Sequence, residues 1–423
     1  MKRTRWLALL AALAVVAAGC GGGEEQARPL SIMASWGGDE QAGFFEVINA
    51  FTKETGIPVV YESERDLPTV LPTRVAGGNP PDIAMVPRPG IVGGFVADGV
   101  LTPLTDLVDE EILTSNYAPA ILDLGTFDGE IYGLLAKANS KSTFWYKPAS
   151  FQELGVEPPE TWDELVAIVD DYVAAGKTPL SVGGLDGWTL TDWFENIYVR
   201  VAGPEMYQKL FVTHEVSWTD PTVVEAMELF QEIVTPTDVK LAGGAAGTLS
   251  TGFIDGFDVV LRGEAEMYYE GGFMSSFAAQ NFPELVGGED YSFFPFPEIK
   301  PEFGKPVVGG GDVAVVFNPT DQAAAFIEFL SGTAANEEWA TADKGAVISP
   351  NSAVSLDVYA DPLKRLEAEQ VVAAEIFVFD GSDLAPSAVG GDAMFTGLQT
   401  FIESPDDITG VLEFIEGAAA GAY

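Results

Sequence analysis

Residues 29 to 97 alternate two hydrophobic periods, and this alternation limits the possible folds more than any other feature of the chain. "PLSIMASW" (29–36) predicts a strand. "GDEQAGFFEVINAFTKETG" (38–56) predicts a helix: Phe44, Ile48 and Phe51 share a face, acids crowd its start and Gly56 ends it. "IPVVYE" predicts a strand, residues 66–76 a helix containing two prolines, "PDIAMVP" a strand and "GIVGGFVADG" a short helix. A second series follows Tyr146. "TWDELVAIVDDYVAAG" (161–176) has a capping box, Thr161 with Glu164, and places Leu165, Ile168, Tyr172 and Ala175 on one face. "TPLSVGG" is a strand. "DPTVVEAMELFQEIV" (220–234) is a helix with Asp220 as cap and Pro221 at its first position. "DVAVVF" (312–317) is a strand and "PTDQAAAFIEFL" (319–330) a helix. Strand and helix alternating at this spacing predict an α/β fold with mainly parallel sheets flanked by helices.

The chain has 423 residues, more than one core usually supports, so two domains are expected. Cys20 is its only cysteine, so no internal disulfide can form and the cores must hold alone. Upstream lie Lys2, Arg3 and Arg5, then thirteen uncharged residues, Trp6 to Ala18. That run is shorter than the ~20 residues needed to span a bilayer and has a secretory signal's layout. Residues 1–19 are read as a signal peptide. "LALLAALAVVAAGC" is similar to a bacterial lipobox, so Cys20 is expected to carry lipid, with residues 20–29 as its tether.

Acids outnumber bases 64 to 21, for a net charge of −43, and removing the three cations of the signal leaves about −46. Nucleic acid is thereby excluded as a partner, since its affinity rests on cationic side chains. The acids are spread along the chain, as suits either a surface in a saline habitat, where screening shortens repulsion, or solubility through net charge, and the saline habitat is the favoured reading. One histidine, His214, and one cysteine exclude most zinc sites and any Cys–His nucleophile pair. His214 is expected at the surface. No G-x-S-x-G elbow occurs. "DYVAAGKT" (171–178) reads as a helix C-cap, not a phosphate loop, and "GGGDVA" (309–314) runs into a strand rather than a helix, so neither is a nucleotide motif. No cofactor, metal or catalytic residue is expected. Paired carboxylates for glycoside hydrolysis remain an alternative, because 64 acids make many chance pairs.

Several segments occur in a telling order: "GNPPDIAMVPRPG", "TWDELVAIVDDYVAAGKTPLSVGG", "YEGGFMSSF", "VVGGGDVAVVFNPTDQAAAFIEFLSGTAANEEWA", "ISPN" and "SDLAPSAVGGDAMF". Over about residues 30 to 420 the chain resembles the extracellular solute-binding proteins (family 1) of carbohydrate ABC importers. Its likeness is greatest to α-glucoside-binding proteins, which are related to maltose-binding protein. The resemblance implies a two-lobe periplasmic-binding-protein fold (type II-like) with a ligand cleft between the lobes. It implies a monomer that hands an oligosaccharide to membrane permease subunits, held by lipid in the periplasm or on the outer face of the cytoplasmic membrane. The same fold with a non-sugar ligand is the other reading. The expected division is 30–140 with 297–346 for the N-terminal lobe and 141–296 with 347–423 for the C-terminal lobe. Crossings are expected near 139–143, 294–297 and 345–349.

Site candidates follow from position in these segments. Trp36, Asp39 and Glu40 follow the first strand, at the end where open α/β sheets bind ligands. Arg88 lies at another strand end. Trp188 and Trp193 are expected to form an aromatic wall in the second lobe. Phe273 stands where the family often has tryptophan, which keeps stacking and removes an indole donor. Gly271 and Gly272 let backbone approach a ligand. Asp312 is a hydroxyl acceptor, and Phe395 is at a usual aromatic position. Asn139, Ser140 and Lys141 are expected in the hinge.

Overall fold

A computed structural model describes residues 28–87, 89–342 and 347–423. Signal peptide, Cys20 and Arg88 therefore lie outside the described residues, as do the side chain of Asp39 and part of the expected crossing at 345–349. Twelve strands are present among the described residues: β1 (Leu30–Ala34), β2 (Val59–Ser63), β3 (Ile83–Val86), the hairpin β4 (Thr126–Phe127) and β5 (Glu130–Ile131), β6 (Gly133–Ser140), β7 (Thr143–Tyr146), β8 (Leu180–Ser181), β9 (Met267–Tyr269), β10 (Ser292–Pro295), β11 (Val307–Val316) and β12 (Phe377–Phe379).

The helices of both predicted series form where their patterns place them. Gly38–Thr55 buries Phe44, Ile48 and Phe51, and Gly56 ends it in the left-handed conformation, φ 75°, donating to Thr52 O at 2.9 Å. Trp162–Ala174 carries the reciprocal capping box of Thr161 and Glu164. Ala175, assigned to its buried face, is exposed. Pro221–Val234 begins on the Asp220 side chain. Of the two prolines in Leu67–Ala76, Pro68 occupies the first turn, where its missing N–H costs nothing, while Pro72 lies inside the helix.

The sheets are mixed, not mainly parallel. The first runs β12-β11-β3-β1-β2, with β6 also on β11; β1 is parallel to β2 and β3, while β11 is antiparallel to both β3 and β6. The second runs β10-β7-β9-β8, and only β8–β9 is parallel. The antiparallel pairs arise because strands leave one sheet for the other lobe and return reversed. Each sheet has its own core, one including Ile32, Phe44, Val315 and Phe326, the other Phe144, Trp193, Phe230 and Phe401.

The chain crosses at Ser140–Thr143, again between Phe296 and Val307, and a third time just beyond β12. The last crossing differs from the one expected at 345–349. Val347, Ile348, Tyr359, Ala368, Val371, Phe377 and Phe379 all pack in the first core, because β12 pairs in parallel with β11 and keeps this stretch there. Alternate residues of these two strands serve different cores: Val307, Phe377 and Phe379 the first, Val308 and Val378 the second.

His214 is not a free surface residue. It is half-buried, stacks on Tyr423 with ring centres 5.0 Å apart and lies 3.2 Å from Glu416 Oε2.

Candidate functional site

The site is built on the paired strands β6 and β11. Alternation puts Lys137, Asn139 and Lys141 on one face, and the register sets Asp312 opposite Lys137 and Gly310 opposite Asn139. Gly310 leaves the middle of this floor without a side chain, and its N–H donates to Asn139 Oδ1 at 3.2 Å. Four residues at ~3.3 Å each put the two lysines roughly 13 Å apart along the strand.

At the first-lobe end, Lys137 pairs with Glu40 and with Asp312, the latter at 3.2 Å. Its ammonium lies 4.8 Å from the Trp36 ring centre. Burial works against the Lys137 charge, but Asp312 and Glu40 outweigh it and raise its pKa above the usual lysine value. Burial pushes the Asp312 carboxyl up, against the pull of Lys137. Trp36 is itself buried, edge-on to Phe44 at 4.9 Å and to Trp339 at 5.2 Å. Its carbonyl, two residues beyond β1, accepts from the Tyr61 hydroxyl at 2.8 Å and from Ser63 Oγ at 2.7 Å.

At the second-lobe end, Lys141 pairs with Asp192 at 3.2 Å and with Asp380, and its ammonium lies 5.1 Å from the Trp188 ring centre. Trp188, Phe253, Phe273 and Phe395 are all half-buried. Trp188 lies 5.1 Å from Phe253 and 6.2 Å from Phe273 between ring centres. Phe395 fits against Gly187, where φ is 77° and a Cβ would stand 2.7 Å from the ring. Asp192, Glu195, Glu270 and Asp380 form a buried acidic group around one ammonium. Burial raises the Glu270 pKa to about 8, against Lys141, and raises Asp192 as well. Asp380 is buried too, but Lys141, the Ser382 hydroxyl and the Asp383 N–H hold it at about 2. Asp192 Oδ2 and Glu270 Oε2 are buried without a hydrogen-bond partner, and burial shifts both carboxyls toward the protonated form.

The sequence-derived candidates separate accordingly. Glu40, Asp312, Trp188, Phe273 and Phe395 lie on or beside this floor. Gly271 and Gly272 are buried in the turn that carries Phe273. Trp193 is in the core, stacked on Phe230 at 5.5 Å and against Tyr269 at 4.7 Å. Its helix, Trp188–Phe211, is buried on all sides from Thr189 to Val201, so Trp188 at the half-buried start and Trp193 further in have different surroundings. Phe253 and Lys137 were not picked out from sequence. Alternation in "LLAKANSKS" carried a signal for the lysines, since it places two of the chain's few cations on one strand face. Lys141, expected in the hinge, lies between β6 and β7, where the chain passes from one sheet to the other, and reaches the aromatic wall.

A separate groove of about 750 Å³ runs along the lobe boundary between Ile91, Phe127, Val212, Pro386 and Tyr423. It has no comparable set of paired cations and aromatic faces, which leaves the β6–β11 floor as the candidate site.

Two lobes joined by shared strands, with a charged, glycine-bare floor and one aromatic wall where they meet, define a two-lobed solute-binding receptor. The chain belongs to the bacterial extracellular solute-binding protein family, whose profile matches residues 36–337. Such receptors bind without catalysis, which disposes of the glycosidase alternative. It is 36% identical to the osmoprotective compounds-binding protein GgtB of Synechocystis sp., over 93% of each chain. It is 35% identical to the alpha-glucosides-binding periplasmic protein AglE of Rhizobium meliloti, over 90% of this chain and 85% of that one. The solved structure of the bacterial solute receptor AcbH shares the fold, with a TM-score of 0.81 at 21% identity over 93% of this chain and 98% of that one. So does apo RafE from Streptococcus pneumoniae, with a TM-score of 0.77 at 18% identity over the same shares. No described helix is long and apolar enough to cross a membrane.

Proposed function

We propose that this receptor captures an α-glucoside or related oligosaccharide between its lobes and delivers it to the permease subunits of an ABC importer, held at the outer face of a membrane by lipid on Cys20. The observation that carries the ligand reading is the pairing of an aromatic wall, Trp188 with Phe273, with Lys141, Asp192 and Asp380 beside it. Sugars present apolar ring faces and a rim of hydroxyls. Aromatic rings cover the faces, while charged groups bind hydroxyls at about 1.5–3 kcal/mol per hydrogen bond. Glu40, Lys137 and Asp312 supply hydroxyl partners from the other lobe; Asp39 and Arg88 remain candidates on their sequence positions alone. Trp36 backs Lys137, and Gly271 and Gly272 shape the turn under Phe273; Trp193 packs in the core, away from the wall.

Kinship with an alpha-glucosides-binding protein and with an osmoprotective compounds-binding protein supports a neutral glucoside and leaves room for a small compatible solute. Closure on the ligand shifts the population to the shape a transporter reads. Maltose, trehalose and sucrose titrated by calorimetry, with small-angle scattering of free and loaded protein, test this reading. Binding with a smaller radius of gyration is expected; no binding to any of them, or no compaction, overturns it. For the anchor, Cys20→Ser should move the protein from membrane to soluble fractions.

A further inference from the structure

The helix Pro362–Val372 sends two charged side chains inward, though nothing in the fold of either lobe requires charge there. Lys364 and Glu367 are 2% and 0% exposed, and Lys364 Nζ lies 3.0 Å from Glu367 Oε2. A buried ion pair is a poor source of stability, because desolvating both charges offsets their attraction, and apolar residues of similar size often serve as well or better. The rest of the contacts of this pair point elsewhere. Glu367 Oε1 accepts from Ser140 N–H at 3.1 Å, at the end of β6 where the chain crosses between lobes. Lys364 Nζ donates to Gly272 O at 3.2 Å, in the turn that leads from Glu270 to Phe273. Gly272 N–H in turn donates to Ser140 O at 2.8 Å. The same helix reaches the crossing a second time, where Gln370 Nε2 donates to Ser142 O at 2.9 Å.

Steric fit agrees with the hydrogen bonds. A Cβ on Gly272 would stand 2.0 Å from Glu367 Cδ, so the turn lies directly against the carboxylate and only glycine allows it. The helix also belongs to both halves of the molecule. Leu363 packs with Trp145 and Phe257 in the second lobe, while Ala368 and Val371 pack in the first core. Three parts thus meet at one carboxylate: a helix bridging the lobes, the crossing strand, and the turn bearing a ring of the aromatic wall.

We propose that Glu367, held by Lys364, is a positioning residue that locks the Gly271–Phe273 turn to the crossing strand at Ser140 and so sets where the Phe273 ring stands for the ligand. The pair touches no ligand itself. The affinity consequence rests on the reading of Phe273 as a ligand-facing ring; the mechanical link does not.

The test uses the full mature chain and two substitution sets, with maltose as the probe. Lys364→Met with Glu367→Gln removes both charges together and leaves an acceptor for Ser140. It should keep the melting temperature near wild type, speed hydrogen exchange in a peptide covering 268–276 at least tenfold while leaving a core peptide covering 190–200 unchanged, and weaken maltose binding at least tenfold. Gly272→Ala should also weaken binding, and adding Glu367→Asp should restore part of it, because the acid one methylene shorter vacates the space the methyl needs. Unchanged exchange at 268–276 in the double variant, or no recovery by Glu367→Asp in the Gly272→Ala background, overturns the proposal. If wild-type protein binds no maltose while the exchange result holds, the ligand reading fails and the positioning role stands.

Discussion

Two tryptophans five residues apart, Trp188 and Trp193, should respond oppositely to truncation. Trp193 is 1% exposed and stacks within the second core, so Trp193→Ala removes a full aromatic side chain and leaves a cavity. Such changes typically cost about 3–5 kcal/mol. Trp188 is half-buried at the start of the same helix. Half of roughly 200 Å² at about 25 cal/mol/Å² gives a ceiling of about 2.5 kcal/mol for Trp188→Ala, and this includes the contact with Lys141. Urea unfolding followed by circular dichroism should therefore show Trp193→Ala as the less stable variant by at least about 0.5 kcal/mol. Calorimetry with maltose should show the reverse order. Trp188→Ala should lose at least tenfold in affinity, about 1.4 kcal/mol, while folded Trp193→Ala stays close to wild type. Equal stability losses would refute the placement of Trp193 in the core. Affinity lost at Trp193 but not at Trp188 would refute the assignment of the wall.

Glu270 keeps its proton to about pH 8 in the folded protein against an ordinary 4.5, so its contribution is complete below 4.5 and is lost as pH rises toward 8; stability should fall across that window by up to about 1.4 kcal/mol per pH unit, and Glu270→Gln should flatten the slope of melting temperature against pH. Lys141→Met leaves Asp192 and Asp380 buried without their cation and should cost about 3–5 kcal/mol in urea unfolding, reduced if protons take the place of the ammonium. Gly187→Ala should destabilise and weaken maltose binding together, since residue 187 holds φ 77° and a methyl there meets the Phe395 ring; a variant with unchanged melting and affinity would refute this. Melting temperature should rise from low to molar chloride, because compaction concentrates a charge of −43 that salt screens; a flat curve would remove the saline-habitat reading.

The legible elements were those with a local signature. The capping box at Thr161 and Glu164, the Asp220–Pro221 start and the terminal Gly56 each mark a helix by chemistry confined to a few residues. The helix Trp188–Phe211 was illegible because it is buried all round and has no amphipathic period, and this is why Trp193 passed for a wall residue. Strand direction was misjudged for a related reason: β11 reads as any buried strand, and its reversal is set by a crossing formed through long-range pairing. Within the site, aromatics beside glycines drew attention, as did Asp312 behind its glycines. Asp192, Asp380 and Glu270 did not, since among 64 acids nothing local separates a buried carboxylate from a solvated one.

The alternation along β11 and β12, with Val307 facing one core and Val308 the other, matters during synthesis. The first core takes in Val313 to Phe379 and the second Val378 to Ala419, so neither lobe can close until the last quarter of the chain exists. At about 5–20 residues per second, the final 120 or so residues take roughly 6–25 s to appear. Throughout that interval the first half lacks β11 and β12, and the second lacks the helical segments from Gly381 to Ala419 that complete its core. Export machinery that takes such a chain by its front end would meet it before either core is complete. Topology thus provides a delay that an independently folding N-terminal domain would forfeit.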